Sequence, residues 1–297
     1  MCQKGYGNDM KDYLNQLEEE SIYIIREIYA EFNKPVLLYS VGKDSGVLVR
    51  LCQKAFAPGK IPFPVMHVDT GFKFDEMYRF RKRFVEDNKL DLILHSNHNW
   101  IEKGCSPLEL GTDICCQHLK TEALLDGIKK YGFDAAIGGA RREEEKSRAK
   151  ERIFSVRNKF GKWDPKNQRP ELWNLYNTFL REGHSMRVFP LSNWTEIEIW
   201  QYIEQESIPV VPLYFAKERK VKKIKSILSL DPDGEPIMCR FRSLGCVPCT
   251  GAVISNAKNI NEIINELKEI KRSERENRLI DLNSDSSMED KKKEGYF

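Results

Sequence analysis

Val36-Leu37-Leu38-Tyr39-Ser40-Val41-Gly42-Lys43-Asp44-Ser45-Gly46 is the stretch on which the reading of this chain turns. Its first four residues suit a buried parallel strand, and the Lys34-Pro35 pair in front of them favours an extended start. Val47 to Phe56 then reads as a helix. A strand, a tight polar loop and a helix N-terminus together present unpaired backbone N–H groups and the positive end of the helix dipole, which is what a polyphosphate needs. Gly42 lets the backbone approach the anion, Ser40 and Ser45 add hydroxyl donors, and Lys43 adds charge. The loop is not a Walker A loop, which would require glycine at Leu37 and GKS or GKT in place of Gly42-Lys43-Asp44. The bland alternative is a serine- and glycine-rich turn capped by Asp44.

Working outward, the same alternation recurs. Leu14 to Phe32 carries the stripe of an amphipathic helix. Pro64 to Val68, Asp91 to His95 and Phe133 to Ile137 read as strands, with helices at Phe74 to Asn88 and Lys120 to Tyr131 between them. Such a succession predicts an α/β fold with a doubly wound, mostly parallel sheet and a ligand site at the strand C-termini. From Ala140 the texture becomes charged. The stretch from Trp163 to Pro170 is too irregular for regular structure, which suits a loop over the site. Its Lys166 and Arg169 could bind an anion, with a purely structural lid as the alternative. Arg187 to Leu191 reads as a further strand, Thr195 to Glu206 as a helix capped at Asn193 or Thr195, and Ile260 to Arg272 as a last helix. We expect an α/β domain over residues 1–215 and an irregular or helical appendage over 216–297, ending in a charged tail.

Bulk properties exclude several classes. Lysine and arginine total 48 against 45 acidic residues, a net charge of +3, so no nucleic-acid partner is indicated. Hydrophobic residues make up 40% and charged residues 31%, as in a globular protein. No segment approaches the length of a membrane span, and the first residues lack the apolar run of a secretory signal, so the chain reads as cytoplasmic.

Two further strand ends carry chemistry. His67-Val68-Asp69-Thr70-Gly71 places an acid and a hydroxyl where nucleotide sites lie in such sheets, although an ordinary strand-ending turn looks the same. Gly138-Gly139-Ala140-Arg141-Arg142 offers close backbone approach and two guanidiniums with forked donors for phosphate or sulfate oxygens. Lys150, Glu151 and Arg152 read better as a solvated helix face. Among eight cysteines, the vicinal pair Cys115-Cys116 and the Cys246-Val247-Pro248-Cys249 segment supply four thiolates, the complement of a 4Fe-4S cluster or a four-cysteine zinc site. Four unrelated buried thiols are the alternative. Cys52 falls on an apolar helix face, and Cys2, Cys105 and Cys239 show no pattern.

The loop resembles the SGGxDS loop of the N-type ATP pyrophosphatases, with Val41 replacing the first glycine. Gly138 to Arg152, Trp163 to Trp173, Arg187 to Trp200 and Ser287 to Phe297 resemble sulfate adenylyltransferase small subunits, and the likeness runs over nearly the whole chain from Leu14. The resemblance implies an adenine nucleotide alpha hydrolase-like fold that makes adenylylsulfate and pyrophosphate from ATP and sulfate. It further implies Mg²⁺ on the phosphates, and a GTPase large subunit as partner that drives the uphill step. ATP would lie on Ser40, Gly42, Lys43, Asp44, Ser45, Asp69, Gly138 and Gly139, with Lys43, Arg141 and Arg142 as catalytic residues. The cysteines depart from that family. Cys115 to Lys120 and Gly245 to Thr250 are similar to the cluster-binding segments of adenylylsulfate reductases, which implies a 4Fe-4S cluster on Cys115, Cys116, Cys246 and Cys249. A reductase is the main rival function, but that family keeps its nucleophilic cysteine on a C-terminal tail and here none follows Cys249. A third reading is a non-catalytic nucleotide-binding subunit that senses redox state.

Overall fold

The computed structural model describes residues 5–144, 146–164, 168, 170–224 and 227–269. Lys166, Arg169 and the Ser287–Phe297 tail lie outside the described residues.

A long helix, α1 (Gly5–Glu31), leads into β1 (Pro35–Leu38), α2 (Lys43–Phe56), β2 (Val65–Val68), α3 (Asp75–Asp87) and β3 (Leu92–His95). Two short helices, α4 (His98–Glu102) and α5 (Thr112–Cys116), precede a π-helical turn over Gln117–Glu122 that continues into α6 (Ala123–Tyr131). Then follow β4 (Ala135–Ile137), the short α7 (Lys146–Ala149), β5 (Phe154–Arg157), β6 (Ser185–Val188) and α8 (Glu196–Gln205). The first sheet has the order β3-β2-β1-β4-β6-β5 and is parallel except for the edge strand β5. The doubly wound α/β expectation therefore holds.

Burial explains the winding. Every residue of β1 is buried, because both faces of the sheet are covered. Leu37 and Tyr39 pack with α1, α2 and α8 residues such as Ile25, Leu48 and Trp200. Val36 and Leu38 face the other way, onto Leu124 and Ile128 of α6. The chain thus changes sides between β3 and β4, so the strand order reverses between β1 and β4. The loops after those two strands diverge there, and the crevice between them is where doubly wound sheets bind ligands.

Helix α8 shows how local chemistry sets a boundary. Thr195 Oγ1 accepts from Glu198 N at 3.3 Å, and Thr195 N donates to Glu198 Oε2 at 2.7 Å, a reciprocal cap. Beyond residue 215 the chain carries more than the expected irregular or helical appendage. Strands β7 (Lys217–Ile224), β8 (Ile227–Leu230), β9 (Glu235–Arg240) and β10 (Val253–Ile254) form an antiparallel sheet of order β10-β9-β7-β8, followed by α9 (Ile260–Glu269). Among the described residues no helix is long and apolar enough to cross a membrane.

Candidate active site

The turn from β1 into α2 is braced from within. Ser45 Oγ donates to Gly42 O at 2.9 Å, the Ser40 and Ser45 hydroxyls meet at 3.2 Å, and Gly42 N donates to Ser40 Oγ at 3.3 Å. Tyr214 closes it from a distant part of the chain, its hydroxyl accepting from Lys43 N at 2.9 Å. Gly42, the N-cap of α2, has no side chain with which to cap the helix, but the Tyr214 hydroxyl already occupies the first helical N–H at Lys43. Val41 has φ of +66°, the left-handed region that glycine tolerates and a β-branched residue resists. This explains why a glycine stands at that position in the loop pattern, and it leaves Val41 strained.

A cavity of about 210 Å³ opens over this turn. Ser40, Gly42, Lys43, Asp44 and Ser45 line one side, Met66, His67 and Val68 a second, and Gly139, Glu144 and Arg148 a third. Lys73 and Lys120 also reach it. Gly139 is glycine for a packing reason, since a Cβ there would stand 3.1 Å from Asp44 Cβ and 3.4 Å from its carbonyl carbon. Six of the eight residues expected to bind nucleotide therefore surround one cavity. The others do not line it: Gly138 N is held by Val188 O at 2.8 Å, and Asp69 lies outside the lining.

The two guanidiniums are placed differently from the simplest expectation. Arg141 is only 1% exposed, donating from Nε to Asp44 Oδ1 and from Nη1 to Glu143 Oε2, both at 2.8 Å. Lys43 Nζ lies 3.2 Å from the other oxygen of Asp44. Arg142 bonds through Nη1 to Asn193 Oδ1. Neither arginine lines the cavity, whereas Lys43 does. Arg141 acts on the loop through Asp44.

Asp69 is similarly occupied. Its oxygens accept from Arg81 Nη1 at 2.9 Å, Tyr78 Oη at 3.0 Å and Gly71 N at 3.0 Å. Burial works against its ionisation, but these donors outweigh it and hold the carboxyl below its ordinary range. The residue that sequence reasoning missed is His67, buried and on the cavity wall. Its Nδ1 lies 2.7 Å from Tyr39 O, which only accepts, so Nδ1 carries the proton. Burial first, and then the charge on Lys73, push its imidazole down to about 4. A folded-state value below the unfolded 6.5 means the unfolded chain takes up the proton first. The stabilisation is full above about pH 6.5 and is lost on acidification from there towards about pH 4. The chain should lose about 2 kcal/mol of stability from this group between about pH 7 and pH 5. Urea unfolding at the two pH values tests it: His67→Asn should show a correspondingly smaller loss, and an equal loss would assign the acid sensitivity elsewhere.

The cysteines converge in part. Cys116, Cys246 and Cys249 are joined by thiol hydrogen bonds, and Cys246 Sγ also lies 3.2 Å from Thr70 Oγ1. The bond from Cys249 depresses Cys116 to about 6 and Cys246 well below its ordinary value, while the shared proton raises Cys249. Lys73 and Lys120 add to both depressions, so this thiol group adjoins the cavity. Cys115 instead hydrogen-bonds to Cys105, a partner the sequence did not reveal. Among the described residues no group of three or more His, Cys, Asp or Glu is arranged to hold a metal ion.

The fold and cavity define a nucleotide-binding α/β protein, and residues 34–252 match the phosphoadenosine phosphosulfate reductase domain family. Sulfate adenylyltransferase subunit 2 of Pseudomonas paraeruginosa (strain DSM 24068 / PA7) is 55% identical, covering 97% of this chain and 99% of that one. The protein of the same name from Saccharophagus degradans is 56% identical, over 96% and 97%. An FMN adenylyltransferase from Candida glabrata, solved in complex with ATP, shares the fold at a TM-score of 0.51 and 14% identity, over 91% of this chain and 89% of that one. The chain belongs to the sulfate adenylyltransferase subunit 2 family.

Proposed function

We propose that this chain is the ATP-handling subunit of a sulfate adenylyltransferase, a nucleotidyltransferase that converts ATP and sulfate into adenylylsulfate and pyrophosphate. The observation that carries the reading is identity of 55% with proteins of that name over nearly the full length, with the phosphate-binding turn intact around an open cavity.

A sulfate oxygen attacks the α-phosphorus, the new S–O–P bond forms, and the bond to the bridging oxygen of pyrophosphate breaks. Sulfate is already a dianion, so no general base is needed. The chain's task is positioning and charge neutralisation. The α2 N-terminus, the Ser40 and Ser45 hydroxyls and Lys43 receive the departing pyrophosphate, and Arg141 keeps Asp44 and hence the turn in place. Mg²⁺, when bound, would supply further neutralisation of the phosphates; the carboxylates on the cavity wall are Asp44, already paired with Lys43 and Arg141, and Glu144, already paired with Arg148. The name "subunit 2" among the relatives supports a heteromer. In our reading the partner is a GTPase large subunit, whose hydrolysis of GTP drives the uphill synthesis in the cytoplasm.

A 4Fe-4S cluster on Cys115, Cys116, Cys246 and Cys249 rests on the likeness of the two cysteine segments to cluster-binding segments, and it would require Cys115 to turn from Cys105. Adenylyl transfer moves no electrons, so the cluster would tie the Cys115 segment to the Cys246 segment. Anaerobic co-purification with the GTPase subunit tests both readings. Sulfate-dependent pyrophosphate release is expected, with about four irons per chain that Cys246→Ser removes. Reductant-dependent sulfite release without pyrophosphate would favour the reductase. Stoichiometric zinc, or a colourless protein with the four thiols free, would eliminate the cluster.

A further inference from the structure

We propose that the nucleoside half of ATP is fixed by a hydrogen bond donated to His67 Nε2, so that His67 rather than Asp69 is its polar partner on the β2 wall. The inference deepens the reading of the cavity as an ATP site and rests on it.

Three observations carry it. His67 is 1% exposed and lines the cavity, at the C-terminal half of the strand beside β1. Its ring is fixed by the bond from Nδ1 to Tyr39 O, which makes Nε2 the acceptor nitrogen. That nitrogen is buried and has no hydrogen-bond partner among the described residues. A buried acceptor without a donor is unfavourable, and most such groups in native proteins are satisfied. A donor arriving with the ligand removes the penalty, so the affinity it adds is larger than for an exposed acceptor that surrenders water. The imidazole stays neutral at working pH, so it accepts a hydrogen bond and does not shuttle protons. Asp69, the other polar group at this strand end, has both oxygens engaged by Arg81, Tyr78 and Gly71. ATP offers two kinds of donor on this half: the exocyclic amino group of adenine and the ribose hydroxyls.

Equilibrium binding of ATP, 2′-deoxy-ATP, 3′-deoxy-ATP and the triphosphate of purine riboside, which lacks the amino group, separates these sources. The wild-type chain should bind one of the three analogues roughly tenfold more weakly than ATP. His67→Asn keeps a side-chain donor for Tyr39 O but lacks the acceptor, so it should bind ATP and that analogue alike, with the full loss falling on ATP. His67→Gln, whose amide oxygen reaches towards the Nε2 position, should recover part of the discrimination. An Asn variant that binds ATP as the wild type does, or that keeps the discrimination, would overturn the proposal. Should that variant fail to fold, equal wild-type affinity for all four ligands would overturn it as well. A wild-type chain that binds no ATP would instead bring down the reading of the cavity, and this inference with it.

Discussion

Lys43→Ala is expected to lower kcat/KM for ATP by one to two orders of magnitude while leaving the chain folded. Lys43 lines the cavity at the start of α2, and its ammonium lies 3.2 Å from Asp44. In the proposed reading it serves two anions, the carboxylate and the polyphosphate. Its removal costs a charge-assisted contact of about 1.5 to 3 kcal/mol, which corresponds to roughly ten- to a hundredfold in rate or affinity. Asp44 retains Arg141 at 2.8 Å, so the loop should keep its shape. Steady-state pyrophosphate release with the partner subunit, beside a thermal melt, measures both parts. Activity within about threefold of the wild type would place the ammonium away from the phosphates.

Arg141→Met is expected to act in the opposite way, through stability first. Its guanidinium is 1% exposed and bridges Asp44 to Glu143, while Glu143 also accepts from Glu196 N at 2.7 Å. Removing the guanidinium takes two charge-assisted bonds away, one from Asp44, which keeps Lys43 at 3.2 Å, and one from the half-exposed Glu143, and costs about 3 kcal/mol. For a chain of this size that is a fall in melting temperature of roughly 6 to 12 °C. Turnover should drop because the Asp44 end of the loop loosens. A variant that melts with the wild type yet turns over slowly would show instead that the guanidinium touches ligand.

The contrast between these residues shows how far the amino-acid order alone carries. The turn from β1 into α2 was legible because its backbone geometry is one that only a few residue types permit, and Ser40 to Ser45 announce that geometry. The parallel sheet was legible because β1 to β4 are short, mostly apolar runs between helical stretches. The bonds that Arg141 makes to Asp44 and Glu143 were not legible, because its position at a strand end says nothing of side-chain direction. Asp44, which claims it, is distant in sequence. Strand β7 escaped notice for a different reason: of Lys217-Glu218-Arg219-Lys220-Val221-Lys222-Lys223-Ile224 only Val221 is buried, so no hydrophobic period marks it. Edge strand β5 is Phe154-Ser155-Val156-Arg157, too short and too polar to stand out from the charged stretch before it. Cys105 and Cys115 meet only after the chain folds, and His67 gains meaning only once Nε2 is seen to be buried without a partner.

The left-handed backbone at Val41 bears on how the loop meets its ligand. A β-branched residue in that region raises the energy of the free protein by about 1 to 2 kcal/mol. The side chain is 2% exposed and set among the core residues, and the turn around it is stapled by Ser40, Ser45 and Tyr214. Packing therefore holds open a shape that the local chain would abandon. ATP would meet a cradle already formed, with little ordering entropy left to lose on binding. Such a loop is a wound spring on a latch: a small cavity beneath Val41 would release it, and nucleotide affinity would fall with no contact to nucleotide removed.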